Sequence, residues 1–281
     1  MDTRRPFLWF VLSVTLATAA CGARSEAKPL PRENAAPSAA RNESAQSEPD
    51  FQPPDAAGFG RAAGLVYFEE IVGAAPSTDA LPLIVFLHGR GDRPRPGFMP
   101  LSPPRSVRVI MPRAPLPFGQ GYSWFEYRAD TANTAQAARA IGDAASRVAA
   151  AIEVLRARRP TIGQPIVGGF SQGGMLSYAL AVKQPSLIAL ALPLGGLLPE
   201  SMWPADALTA GTRAPKIRAA HGTDDTLVPF AQARATVAAL TAHGYDVAFL
   251  EQPGVAHAVT EPMIAMLNRE IAATLEHMPG P

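Results

Sequence analysis

The sequence predicts an α/β fold, a mostly parallel central sheet with helices on both faces. Three observations predict it. From about residue 61 onward, short apolar runs alternate with longer stretches of helical periodicity, the pattern of strands joined by crossover helices. The run Leu83-Ile84-Val85-Phe86-Leu87 is apolar at every position and stops at His88-Gly89, as a strand buried on both faces does. A length of 281 residues with 47% hydrophobic content is enough for one large core. In such a sheet ligands bind beyond the carboxyl ends of the strands, so the loops that follow the strands are where functional side chains are sought.

The amino terminus stands apart from this alternation. Met1-Asp2-Thr3-Arg4-Arg5 is short and basic, residues 7–16 are an apolar run, and Ala17-Thr18-Ala19-Ala20-Cys21-Gly22 are small. That is the layout of a secretory signal peptide over residues 1–21, and its apolar core is too short for a comfortable membrane-spanning helix. Cys21 is the only cysteine, so no intrachain disulfide can form. Its position after small residues resembles the lipobox of bacterial lipoproteins, which implies lipidation at Cys21. Thr18 stands where that motif usually has an aliphatic residue. An ordinary cleavage site after Ala19 or Ala20 is the alternative, and both readings export the protein. Residues 22–58 are rich in Pro, Ala, Ser and Glu, and are predicted to be a disordered tether, with a propeptide or spacer as the plainer reading. The folded domain is then expected over residues 59–281.

Within that domain residues 65–71 (LVYFEEI) read as an early strand, followed by 83–87 and by 107–111, which stops at Pro112. Residues 131–159 carry the longest helical pattern, alanine-rich, with Ile141, Val148, Ile152 and Leu155 at helical spacing and Pro160 as terminator. A strand is expected at 165–170, a helix at 172–183, strands at 187–194 and 216–220, a helix at 230–242, a strand at 246–250 and a closing helix at 262–276. Twenty-five basic against 24 acidic side chains leave a net charge of +1, which gives no reason to expect nucleic acid as a partner. Neither an HExxH pattern nor a Walker loop occurs, so no metal and no nucleotide cofactor are expected.

The chemistry concentrates in the loops that end strands. Gly169-Phe170-Ser171-Gln172-Gly173 matches G-x-S-x-G between a strand and a helix, the context in which a sharp turn exposes a serine hydroxyl as nucleophile. A serine hydroxyl needs a base to take its proton, and the base needs a group to orient it. His221-Gly222-Thr223-Asp224-Asp225 and Gly254-Val255-Ala256-His257 follow later strands and supply both, in the order Ser, Asp, His of the α/β-hydrolases. Of the two acids, Asp224 reads as a solvated loop carboxylate or as a rival to Asp225.

Together LHGRGD (87–92), SWFE (123–126), GGFSQGG (168–174), HGTDDTLVP (221–229) and GVAH (254–257) resemble the phospholipase/carboxylesterase family of α/β-hydrolases, which includes the acyl-protein thioesterases. The resemblance runs from about residue 65 to about 276. It implies the α/β-hydrolase fold and a serine hydrolase that cleaves carboxylic esters or thioesters without a cofactor. It implies Ser171 as nucleophile, His257 as base and Asp225 as acid, and the backbone N–H groups of Arg90 and Gln172 as the oxyanion hole. Arg90 stands where the family usually has leucine, and its side chain either meets anionic substrates or is solvated. Trp124 is expected to line an acyl groove or to pack in the core, and Asp92 to fix its loop. The basic, proline-rich stretch 91–105 departs from a more helical segment of the family. The partner implied is a small-molecule or lipid ester, met at a membrane through the N-terminal anchor. Alternatives are a lactone or polysaccharide-ester hydrolase on the same fold, and a non-catalytic envelope lipoprotein that binds a small acyl ligand.

Overall fold

A computed structural model describes residues 51–126, 134–209 and 211–280. The expected signal peptide and Cys21 lie outside the described residues, as do 127–133, where the long helical pattern was expected to begin. In chain order the elements are β1 (Phe51–Gln52), β2 (Phe59–Ala62), β3 (Leu65–Val72), β4 (Leu81–Leu87), β5 (Val107–Pro112), β6 (Leu116–Phe118), β7 (Gly121–Ser123), α1 (Thr134–Arg158), β8 (Thr161–Phe170), α2 (Gln172–Lys183), β9 (Leu190–Leu194), β10 (Lys216–Gly222), α3 (Phe230–Ala242), β11 (Val247–Gln252) and α4 (Glu261–Glu276).

Nine of the strands form one sheet in the order β1-β2-β3-β5-β4-β8-β9-β10-β11. From β5 to β11 every neighbouring pair is parallel, while β1, β2 and β3 add an antiparallel edge. The chain leaves β4 to one side for β5 and returns on its other side as β8, so the strand order reverses between β4 and β8. This is where the topology of an open α/β sheet opens a crevice at the strand ends. The register Phe86↔Gly168 and Leu87↔Gly169 carries His88-Gly89-Arg90 and Ser171 out of the sheet side by side.

Alternation along β4 explains why it reads as continuously apolar. Leu83, Val85 and Leu87 enter one buried cluster with Ile141, Val148, Ile152 and Leu155 of α1, Leu176 and Leu180 of α2, and Leu240 of α3. Ile84 and Phe86 enter a second cluster with Met263, Leu267, Ile271 and Leu275 of α4. Helices therefore cover both faces. The face under α4 is completed by the irregular 91–105 segment: Phe98 is buried against Phe86 with ring centroids 5.8 Å apart, and Asn268 of α4 ties down Pro100 and Ser102.

Three expectations change. The tether was drawn through residue 58, but Phe51–Gln52 pairs with β2, and Asp55 accepts the N–H groups of Ala57 and Phe59 to close the turn between them. The folded part therefore begins by Phe51, because that aspartate turn returns Phe51 to the core. The strand expected at 187–194 begins only at Leu190. Leu187 and Ile188 are apolar because they are buried in the turn after α2, not because they pair. The strand expected at 165–170 starts earlier, at Thr161, and accommodates Pro165 through a register shift opposite Pro82 and Ile84, with Gly163 at φ 69°. The hairpin of β6 and β7 was not anticipated.

A buried charge cluster pins the edge of the sheet. Arg108 of β5, fully buried, and Arg159 after α1 both donate to one oxygen of Glu69 on β3, and Arg108 also donates to the carbonyls of Ser77 and Asp79. Such a cluster fixes which segments meet, whatever its net contribution to stability.

Candidate active site

Ser171 lies between β8 and α2 with φ 57° and ψ −117°, and Ala63 is the only other non-glycine at positive φ among the described residues. A residue held there costs on the order of 1–3 kcal/mol and persists only where its surroundings enforce it. The surroundings here are close backbone approaches. A Cβ on Gly173 would sit 2.0 Å from the Leu87 carbonyl oxygen, and one on Gly169 would sit 2.5 Å from Gly173. The turn is clamped from both ends, by Ser171 N–H to the Leu194 carbonyl at 2.9 Å and by Met175 N–H to the Ser171 carbonyl at 3.0 Å.

His257 Nε2 lies 2.9 Å from Ser171 Oγ, and His257 Nδ1 lies 2.6 Å from Asp225 Oδ2. The two loops that supply acid and base meet because β10 and β11 are adjacent and parallel. They are then laced together by Asp224 N–H to the Val255 carbonyl (2.9 Å) and Thr223 N–H to the Gln252 carbonyl (2.9 Å). Any side chain at Gly222 would strike the Val255 carbonyl. Asp225 is buried while Asp224 is exposed and binds its neighbour Thr223, so the geometry agrees with the acid that the family resemblance implied.

Burial alone would raise the pKa of Asp225. Hydrogen bonds from His221 and His257 and from the Val228 N–H outweigh it and hold the carboxyl well below the usual carboxylate range. The N–H groups of Leu227 and Val228 satisfy Oδ1, and His221 Nε2 lies 3.1 Å from Oδ2. With a native pKa below the unfolded value of about 3.9, this group stabilises the fold above about pH 4, and the contribution is lost as pH falls through the native pKa. The thermal midpoint is therefore expected to drop on acidification below about pH 4. In Asp225→Asn, which has nothing to protonate at this position, that part of the profile flattens. Parallel acid limbs for the two proteins, measured by circular dichroism, would contradict this.

Several supporting residues were not legible beforehand. Phe170, immediately before the nucleophile, stacks on the His257 ring with centroids 4.6 Å apart. A side chain on Gly195 would strike Phe170. His221 shares Asp225 with His257. The Gln172 side chain is buried, its Oε1 accepting from Trp124 N–H at 2.9 Å and its Nε2 donating to the Phe125 carbonyl at 3.0 Å. The signal for it was present, since a glutamine inside an apolar turn must have buried hydrogen-bond partners.

The remaining candidates fall as follows. Arg90 is exposed, with its guanidinium 4.6 Å from the centroid of Phe118. Trp124 is buried, its indole N–H donating to the His88 carbonyl at 2.9 Å, and it also borders a cleft of about 220 Å³ whose lining does not include Ser171. Asp92 accepts from Arg93 N–H and from Arg95, and its backbone bridges to Tyr122. Among the described residues no group of three or more His, Cys, Asp or Glu side chains could hold a metal ion. No helix among them is long and apolar enough to cross a membrane.

Comparison with known proteins agrees with this geometry. The profile of the Phospholipase/Carboxylesterase family matches residues 69–275. Acyl-protein thioesterase 1 of Gibberella zeae is 33% identical over 100 residues, which is 33% of this chain and 40% of that relative's length. The carboxylesterase of Bacillus cereus superposes with a TM-score of 0.60 at 14% identity, covering 74% of this chain and 94% of its own. Acyl-protein thioesterase 2 of Zea mays superposes with a TM-score of 0.53 at 21% identity, covering 74% and 98%. These two solved structures share the fold. Ser171, His257 and Asp225 stand in the geometry of a serine hydrolase triad, and with most of its length matched, the chain belongs to the Phospholipase/Carboxylesterase family.

Proposed function

We propose that this protein hydrolyses carboxylic esters or thioesters of small molecules or lipids through an acyl-enzyme on Ser171, and that it works outside the cytoplasm from a lipid anchor on Cys21. The observation that carries the chemistry is the unbroken relay of 2.9 Å and 2.6 Å from Ser171 through His257 to Asp225, starting from a serine held at positive φ. His257 Nε2 takes the proton of Ser171 Oγ as the oxygen attacks the carbonyl carbon, and the carbonyl electron pair moves onto oxygen. That oxyanion is received by the backbone N–H groups of Gln172, at the start of α2, and of Arg90, in the loop after β4. As the tetrahedral adduct collapses, the alcohol or thiol leaves with the proton from His257. Water then repeats the sequence on the acyl-enzyme and releases the acid. Asp225 remains a carboxylate throughout. It holds the imidazole with Nδ1 protonated and Nε2 free to accept.

The anchor reading rests on sequence alone: a basic, then apolar, then small-residue leader ending at the only cysteine. For a lipid-tethered enzyme outside the cytoplasm, acylated cytosolic proteins are out of reach, which favours lipid or exogenous small esters as substrates. A fluorophosphonate probe is expected to label the parent protein strongly, to label His257→Ala only weakly if at all, and to leave Ser171→Ala unlabelled. Persistent labelling of Ser171→Ala would overturn the nucleophile. On detergent phase partition the full chain is expected in the detergent phase and Cys21→Ala in the aqueous one, and equal partition of the two would overturn the anchor.

A further inference from the structure

We propose that His88 is the positioning residue of the oxyanion hole: by holding the Gly89 carbonyl it aims the Arg90 N–H at the space beside Ser171. This rests on the assignment of Arg90 N–H as an oxyanion donor made above.

The His88 ring is buried between two backbone groups. Ala114 N–H donates to Nε2 at 3.1 Å, so that nitrogen is an acceptor, and the ring proton must sit on Nδ1, which faces the Gly89 carbonyl oxygen at 2.7 Å. Burial lowers the pKa of His88, in keeping with a neutral ring that donates at one nitrogen and accepts at the other. The Gly89–Arg90 peptide is trans, since the described residues contain no cis peptide bond, so its C=O and N–H point in opposite directions. Fixing the carbonyl toward His88 turns the Arg90 N–H away from it.

The nucleophile lies close against this loop. A Cβ on Gly89 would lie 3.4 Å from Ser171 Cβ. Asp92 N–H also donates to the Gly89 carbonyl (3.3 Å), and Gly91 N–H donates to the Tyr122 carbonyl (2.8 Å), so both peptides flanking the Arg90 α-carbon are held. The Trp124 indole donates to the His88 carbonyl, and Gln172 Oε1 receives Trp124 N–H, so one chain of hydrogen bonds runs from the loop of the first donor to the residue of the second. An oxyanion hole stabilises a transition state only if its donors are fixed before charge develops, and this network fixes them.

Two isosteric changes separate positioning from mere packing. In His88→Asn the side-chain amide nitrogen reaches the Nδ1 position and keeps the bond to Gly89, losing the one to Ala114. In His88→Gln the longer amide reaches the Nε2 position, keeps the bond to Ala114 and loses the one to Gly89. We expect His88→Gln and His88→Phe to lose kcat by about 10²–10³, the loss typical of one oxyanion donor, at little changed KM. Affinity for a boronic acid that forms a tetrahedral adduct with Ser171 falls in parallel. His88→Asn should retain most of the parental kcat. Equal kcat in His88→Asn and His88→Gln, or a loss seen only in KM, would overturn the proposal, and the comparison stands even if His88→Phe does not fold. If the parent is labelled by fluorophosphonate at Ser171 and His88→Gln is labelled at the same rate, this inference alone falls. If the parent is not labelled, the proposed function falls and takes this one with it.

Discussion

Replacing Ser171 by alanine, or His257 by alanine, is expected to lower kcat by about 10⁶-fold, and the double variant is expected to be no worse than either single one. Each group has value only through the other. Without the Nε2 acceptor 2.9 Å away, the Ser171 hydroxyl keeps its proton and is a poor nucleophile; without Oγ, the imidazole has no proton to move. Costs that belong to a single relay do not add. The residual rate over the uncatalysed reaction should be about 10³–10⁴, supplied by the oxyanion donors and by binding. Fold losses that multiply in the double variant would mean that the two residues act in separate steps, and the relay would have to be abandoned.

Asp225→Asn is expected to cost about 10⁴ in kcat while leaving the site's geometry in place, because it inverts the tautomer of the base. Oδ2 receives His257 Nδ1 at 2.6 Å and also faces His221 Nε2 at 3.1 Å, while Oδ1 is held by the N–H groups of Leu227 and Val228. Those two amides keep the oxygen of the new asparagine at the Oδ1 position and force its NH₂ toward both histidines. His257 Nδ1 must then accept, the ring proton moves to Nε2, and the atom facing Ser171 is no longer a base. His221 resists the change as well, since its Nε2 is also engaged with the Val228 carbonyl at 2.8 Å and would have to donate in the presence of an opposing N–H. A pH–rate profile of the variant should show kcat recovering at high pH, where the serine no longer depends on a neutral Nε2 acceptor. An Asp225→Asn protein with parental kcat at neutral pH would show that the carboxylate plays no part in orienting the base.

Much of the site could be read from the chain before folding, since each catalytic segment carries a local constraint. The glycines of GGFSQGG mark a turn in which a Cβ would collide with the Leu87 carbonyl, and a collision that severe restricts residue choice enough to be seen in the sequence. The strand ending at His88-Gly89 and the two acids after His221 were visible for similar reasons. What could not be read were contacts between segments far apart in the chain. Phe170 on His257 spans the distance from β8 to the loop after β11, and the Gln172 amide reaches across to Ser123–Phe125; nothing local in either segment depends on its partner. The short strand at Phe51–Gln52 was hidden for a different reason. Two residues of pairing, stabilised by an aspartate turn, leave no periodicity to detect.

The sequence by itself determined the fold class and, from β3 onward, the order of the helices and of the strands of the main sheet, and it put forward Ser171 and His257 as nucleophile and base, because apolar periodicity and close-packed turns are local properties. It offered two neighbouring aspartates as the acid, of which the family resemblance pointed to Asp225. The tertiary structure supplies the physical reason for that choice, by burying Asp225 under two histidines and two backbone amides while leaving Asp224 in solvent. It alone brought His88, Trp124 and Gln172 into one network behind the loop that follows β4. Spacing along a chain carries no information about which carboxylate loses its water or which peptide plane is held, and those are the properties on which the chemistry of this site depends.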